Sequence, residues 1–192
     1  MARKFELNVV TICGSLRKGS YAAAVLRALP ALSPGGMGFT PFPSIGDVPH
    51  YDGDLETSSG VPHSIALLAN AMRETDGVII VSPEYNYSVP GVLKNTIDWV
   101  SRPYGDSAWK GKPVAIMGAS AGVLGTARAQ YHLRQTFVFL DMPVVNQPEV
   151  MIGSAAAKFD ANGNLADDMA KKLIGQLLTN LCDLAKRYGA GS

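Results

Sequence analysis

The stretch "VTICGSLRKGSYAAAVL", residues 10–26, joins a short apolar run to a helix-like run through a loop of polar residues and glycines. The apolar run has the length and β-branched content of a buried strand. Ser20 is a suitable N-cap for the helix-like run that follows. A strand that leads through a short loop into a helix begins a β-α-β unit. The stretch therefore predicts a parallel sheet covered by helices.

The same alternation of short apolar runs and helix-period segments continues along the chain. Strands are predicted at residues 7–13, 38–42, 77–82, 113–118 and 144–145. Helices are predicted at residues 20–29, 62–72, 90–99, 126–140 and 166–188. Residues 43–60 are rich in Pro, Gly, Asp and Ser, which predicts a long loop. The pattern indicates a single α/β domain over residues 1–192, a doubly wound five-stranded parallel sheet with helices on both faces.

Composition and charge exclude several classes of partner. The chain has 192 residues, 47% of them hydrophobic, and a net charge of +1, so no global field favours nucleic acid. No apolar run approaches the roughly 20 residues of a membrane span, and the N-terminus lacks the apolar segment of a signal peptide. Cys13 and Cys182 show no CxxC spacing and are interpreted as small core residues in a reducing compartment. His50, His63 and His132 are scattered without metal-ligand spacing. These features predict a cytoplasmic protein without a metal, nucleic acid or membrane partner.

The loop after the first predicted strand, "GSLRKGSY", carries donors suited to an anion. Free amides at a helix N-terminus face such a loop, and Ser15, Ser20 and Arg17 add two hydroxyls and a guanidinium. The loop is not a Walker A motif, because Ser20 and Tyr21 stand where that motif requires Lys and Ser or Thr. A GxGxxG dinucleotide pattern is also absent from this turn. The loop predicts a site for a terminal phosphate, and the alternative is a solvated turn with a good N-cap.

The loops after the third and fourth predicted strands favour a flat ligand beside that phosphate. In "SPEYNYSVPG", residues 82–91, two prolines stiffen a segment that carries two tyrosines and Asn86. The alternative is that Tyr85 and Tyr87 cover the end of the sheet while Asn86 forms a turn. The other loop, "GASAGVLGTA" at residues 118–127, is rich in small residues that allow close approach to a ligand or a tight crossing. Because the carboxyl ends of parallel strands meet at one edge, the three loops together predict a mononucleotide site.

Three longer segments carry a family resemblance. The segments "GSLRKGSY", "PEYNYSVPGVLKNTIDWVSR" and "QYHLRQTFVFLDMPVVNQPE" resemble the NADPH-dependent FMN reductases of flavodoxin-like fold, in particular bacterial chromate and quinone reductases. The resemblance, over residues 9–149, implies an enzyme with non-covalent FMN that takes hydride from NADPH or NADH onto the flavin N5. Electrons then pass to a quinone, chromate or a similar small acceptor, and no protein nucleophile is needed. The residues implied to hold FMN are Ser15, Arg17, Ser20, Tyr21, Pro83, Glu84, Tyr85, Asn86, Ser120 and Gly122.

The resemblance also implies a homodimer or homotetramer. Its contacts would map onto Arg128, Tyr131, Arg134 and Glu149, with Arg128 and Glu149 as an ion pair between subunits. The alternative is that these are solvated surface charges. Arg102, at the end of the helix after the second loop, is a candidate for binding an anionic acceptor, or alternatively complements the dipole of that helix.

Two other functions remain open at this point. A flavodoxin-like electron carrier or an FMN-binding sensor would not oxidise NADPH, although carriers are usually strongly acidic and this chain is near neutral. The chain also departs from its relatives, which have Asn where Ala22 follows Ser20 and Tyr21. A missing amide near the phosphate predicts weaker FMN retention.

Overall fold

The computed structural model describes residues 6–189, in which five parallel strands form one sheet in the order β2-β1-β3-β4-β5. The strands are β1 Leu7–Cys13, β2 Met37–Pro41, β3 Gly77–Val81, β4 Val114–Ala119 and β5 Val150–Ile152. The helices are α1 Tyr21–Leu32, α2 Gly53–Ser59, α3 His63–Arg73, α4 Gly91–Val100, α5 Ala127–Phe139 and α6 Asp168–Gly189. The chain leaves β1 for β2 on one side and returns to β3 on the other. The strand order therefore reverses between β1 and β3, as in the predicted doubly wound fold.

Alternate residues of the central strands serve two separate cores, one on each face of the sheet. Val9 and Ile79 pack with α1 and α6, whereas Val10 and Ile80 pack with α3, α4 and α5. Every residue of β3 is buried, because helices cover both of its faces. Burial of one such Val or Ile side chain contributes about 1.5–3 kcal/mol, so the two cores hold the strand ends in fixed positions.

The fifth strand was predicted at residues 144–145, and the structure corrects this placement to Val150–Ile152. Val144 forms only an isolated parallel bridge with Val114, at the start of β4. The regular ladder begins where Val150 pairs with Met117. The chain therefore advances six residues, from Val144 to Val150, while β4 advances three, from Val114 to Met117. The extra residues include Pro148, which cannot donate a ladder hydrogen bond.

Residues 43–60 were predicted to be a loop, and the structure corrects this prediction in part. The helix α2 occupies Gly53–Ser59, and the Asp52 side chain caps it by accepting from the Asp54 amide at 2.9 Å. No residue of α2 is buried, so the sequence lacks the apolar periodicity that reveals a helix.

The remaining sequence predictions on the chain as a whole have mixed outcomes. Cys13 and Cys182, predicted to be core residues, are half-buried free thiols. Within residues 6–189, no helix combines the length and apolar character needed to cross a membrane. The prediction on a signal peptide falls partly on residues 1–5, which lie outside the described residues.

Candidate functional site

A cavity of about 310 Å³ lies at the carboxyl ends of β1, β3 and β4, beside the point where the strand order reverses. Its volume is at the lower end of the roughly 300–1,000 Å³ typical of small-molecule sites. It is lined by Ser15, Arg17, Ser20, Tyr21, Ala22, Pro83, Glu84, Tyr85, Ala119, Ser120 and Ala121. All of the predicted cofactor residues except Asn86 and Gly122 are therefore brought together here.

The first loop places the N-terminus of α1 at the cavity wall. The Gly14 amide donates to the Val81 carbonyl at 2.8 Å, so the loop leaves β1 level with the end of β3. The Ser20 hydroxyl accepts from the Ala23 amide at 3.1 Å and caps α1. Among the described residues, no acceptor bonds to the amides of Tyr21 and Ala22, the first two residues of α1. These amides are free to donate to an anion.

The side chains of this loop add further donors. Arg17 is exposed and lines the cavity, and its guanidinium donates to the Gly19 carbonyl at 3.2 Å. The Ser15 hydroxyl accepts from the Arg17 amide at 3.3 Å and also lines the cavity. Lys18 lies outside this cavity and borders a neighbouring one with Phe42. Two hydroxyls, a guanidinium and free amides fit a terminal phosphate, as the sequence predicts.

The second loop is a tight two-residue hairpin, which we call the 85–88 hairpin. Tyr85 and Ser88 exchange backbone hydrogen bonds of 3.1 and 3.0 Å. Asn86 and Tyr87 between them both have left-handed backbones, with φ of +48° and +68°. Asn86 therefore forms a turn, as the alternative interpretation of the sequence proposed, and it does not line the cavity. Tyr85 does line it and is 48% exposed.

Glu84, immediately before the hairpin, is held by α5. Its side chain is only 7% exposed, and its Oε1 accepts from Arg128 Nε at 2.6 Å and lies 2.5 Å from Nη2. Its Oε2 accepts from the Ala129 amide at 3.1 Å. Burial raises the pKa of Glu84, but the Ala129 amide and the Arg128 guanidinium lower it more, so the pKa lies below the ordinary 4.5. Glu84 is therefore ionised at neutral pH, and Arg128 neutralises it.

These contacts give Arg128 a partner within its own chain. Within the chain Arg128 binds Glu84, and its pairing with Glu149 across a subunit interface stays a prediction. The nearby carboxylate of Glu149 raises the pKa of Tyr131. Arg134 donates to the Asn146 side chain at 3.0 Å. Arg128 and Arg134 thus each have a partner inside their own chain, and the role of all four residues at an interface stays a prediction.

The third loop follows β4 and closes the cavity with small residues. Ser120 lines the cavity and donates to the Gly122 carbonyl at 3.2 Å. Gly122 itself is exposed and does not line the cavity. At Gly118, an added Cβ would lie 2.4 Å from the Ser82 carbonyl oxygen and 2.1 Å from Thr126 Oγ1. Glycine is required at that position because the loops after β3 and β4 approach each other closely there.

Arg102 lies away from the cavity. The helix α4 begins beside the end of β3 and runs back along the sheet, so Arg102 sits at the opposite edge. Its guanidinium carbon lies 4.7 Å from the centre of the Tyr51 ring, and it borders a separate cavity with Tyr104 and Phe139. A single chain therefore does not supply Arg102 to its own site.

Comparison with known proteins assigns the family. Residues 7–157 match the model of a family described as NADPH-dependent FMN reductase. This chain belongs to that family. Quinone reductase of Escherichia coli (strain K12) is 51% identical over 174 residues, which cover 90% of this chain and 92% of that protein. NAD(P)H-dependent FMN reductase PA1204 of Pseudomonas aeruginosa is 49% identical over 176 residues, 92% of this chain and 94% of that protein.

A solved structure supports the same assignment for this FMN reductase family member. The flavoenzyme NAD(P)H:(acceptor) oxidoreductase FerB from Paracoccus denitrificans has a TM-score of 0.84 and 35% sequence identity. The match covers 95% of this chain and 98% of that one. The resemblance, the flavodoxin-like fold and the assignment as an oxidoreductase that uses FMN and NAD(P)H are thereby confirmed.

Sequence reasoning missed the supports of the site rather than its lining. Arg128 was predicted to lie at a subunit interface, and Tyr87 was alternatively predicted to cover the end of the sheet. Their contact with each other was not expected. The guanidinium carbon of Arg128 lies 3.5 Å from the centre of the Tyr87 ring. Glu84 and Arg128 are 44 residues apart, so no local spacing in the sequence signals their pairing.

Proposed function

We propose that the protein oxidises NAD(P)H and passes the electrons to quinones through FMN bound in the cavity at the carboxyl ends of β1, β3 and β4. The observation that carries this proposal is the convergence of the three loops, one cationic, one aromatic and one of small residues, on one cavity. The quinone is proposed as the acceptor because the Escherichia coli relative is named a quinone reductase.

The residues of the cavity would bind and orient the cofactor. Ser15, Arg17 and Ser20, with the free amides of α1, would hold the phosphate. Pro83 and Tyr85 supply flat or aromatic walls for a ring system. The chemistry that FMN supplies when bound is acceptance of a hydride from the nicotinamide and delivery of two electrons to the acceptor.

The assembly state is a further part of the proposal. We infer a homodimer or homotetramer with contacts on α5, because this helix exposes apolar side chains to solvent. Val138 is 82% exposed and Phe139 is 78% exposed, and exposed apolar surface of this kind marks interaction sites. Sedimentation analysis of the wild type and of Val138→Glu tests this, and an unchanged sedimentation coefficient would argue against α5 as the interface.

The proposal also covers a second acceptor, the domain organisation and the location of the protein. Chromate is a second acceptor, residues 1–192 form a single domain, and the protein resides in the cytoplasm. The chromate prediction needs a source of positive charge near the acceptor, and Arg102 of another copy is the candidate.

An anaerobic experiment tests the proposed reaction. The protein is reconstituted with FMN, freed of unbound flavin and mixed with NADPH while the flavin absorbance is followed near 450 nm, and a quinone is then added. Bleaching by NADPH and recovery on quinone are expected, and a parallel addition of chromate tests the second acceptor. Bound flavin that NADPH does not bleach would instead indicate an electron carrier or a sensor.

A further inference from the structure

One face of α5 grips the segment from Glu84 through the 85–88 hairpin. Arg128 contacts both Glu84 and Tyr87, through the ion pair and through the ring face. One turn further along the helix, His132 Nδ1 lies 2.9 Å from the Ser88 hydroxyl. Residues four positions apart lie on the same face of a helix, so both contacts come from one stripe of α5.

Within one chain the hairpin has few other contacts. None of its four residues is buried, and Tyr87 is 69% exposed. A bulky residue with a left-handed backbone, such as Tyr87, is strained and persists only where its surroundings determine the conformation. Within the described chain, the polar and cation–π contacts to α5 therefore hold the hairpin, and none of its residues enters either core.

We propose that Arg128 is a positioning residue of the FMN site. It fixes Glu84 and Tyr87 on either side of Tyr85, so that Tyr85 stands at the cavity wall, and it neutralises the carboxylate beside the cavity. Arg128 does not itself line the cavity. The inference rests on the proposed function and extends it to a residue that acts through others.

Loss of Arg128 has two separate consequences. The hairpin loses its main contact, which should weaken FMN binding. The Glu84 carboxylate also loses its cation and keeps backbone amides of α5 as partners, so an uncompensated negative charge remains beside the cavity. Because FMN gains electrons on reduction, a nearby negative charge should lower its reduction potential.

The experiment compares Arg128→Ala, Arg128→Lys and the double variant Glu84→Gln with Arg128→Gln. The control is Arg27→Ala, which removes an exposed arginine that donates to the Gly163 carbonyl and lies outside the cavity. Flavin fluorescence quenching gives the FMN dissociation constant, and redox titration gives the midpoint potential. Thermal unfolding of the apoproteins identifies variants that are folded.

Arg128→Ala is expected to raise the FMN dissociation constant about tenfold and to lower the midpoint potential. Arg128→Lys should keep the potential near that of the wild type, since the charge remains, but should restore affinity only in part because lysine lacks the planar fork. The double variant should regain the potential because it removes both charges. If Arg128→Ala does not fold, these two variants carry the test.

Two results would overturn the inference. In the first, Arg128→Ala has the same FMN dissociation constant and midpoint potential as the control Arg27→Ala. If Arg128→Ala does not fold, the same comparison is made with Arg128→Lys. In the second, the midpoint potential of the double variant lies as far below the wild-type value as that of Arg128→Ala. If Arg128→Ala does not fold, the second result is a double variant whose midpoint potential lies below that of Arg128→Lys. A wild type that binds no FMN would instead reject the proposed function, so the two failures are distinguishable.

Discussion

Replacing Arg17 by alanine tests whether the first loop binds a phosphate. Arg17 lines the cavity and is exposed, and among the described residues its guanidinium donates only to the Gly19 carbonyl. The substitution should therefore change the thermal unfolding of the apoprotein little. A hydrogen bond from a guanidinium to a phosphate contributes about 1.5–3 kcal/mol, so the FMN dissociation constant should rise about 10- to 150-fold.

The chain offers a matched control one residue away. Lys18 has the same charge and is also exposed, but it lies outside the cavity. In fluorescence titrations of the apoproteins, Lys18→Ala should weaken FMN binding far less than Arg17→Ala does. Riboflavin, which lacks the phosphate, should bind Arg17→Ala and the wild type equally. Equal losses at Arg17 and Lys18, or a loss of riboflavin affinity as large as that of FMN, would refute the phosphate assignment.

Four further predictions concern the packing, titration, affinity and kinetics of the site. Gly118→Ala should lower the free energy of unfolding by about 3 kcal/mol, since the new Cβ would lie 2.4 Å from the Ser82 carbonyl oxygen. The control is Gly19→Ala, whose new Cβ meets nothing within 4 Å, so thermal unfolding should be unchanged. In urea unfolding, the wild type should exceed Glu84→Gln in free energy of unfolding by its full amount above about pH 4.5. The excess should decrease as the pH falls through the lower pKa of Glu84 in the folded state, because the carboxylate stabilises the fold only while it is ionised. A difference independent of pH would contradict this. Ala22→Asn should lower the FMN dissociation constant about tenfold by supplying the missing amide, and an unchanged constant would reject that explanation. In the proposed function NAD(P)H and acceptor use one cavity in turn, so double-reciprocal plots should be parallel. Intersecting lines would indicate that both bind together.

The central strands were predictable because their signal is local. The run at residues 7–13 matches β1 in full, and the run at residues 77–82 extends β3 by one residue. A strand buried on both faces must be continuously apolar, so its sequence alone identifies it. The fifth strand failed for the complementary reason. Val144 and Val145 have strand-like side chains, but pairing with β4 resumes only after the turn that contains Pro148.

The sequence by itself determined which loops line the cavity, because parallel strands bring their carboxyl ends to one edge of the sheet whatever the details of packing. Ser20 could be identified as the helix cap from its place between strand and helix. Only the tertiary structure decided that Arg128 binds Glu84 and that Arg102 lies at the opposite edge. Such contacts depend on which face of a helix packs against which loop, and residues 44 positions apart carry no periodic signal for it.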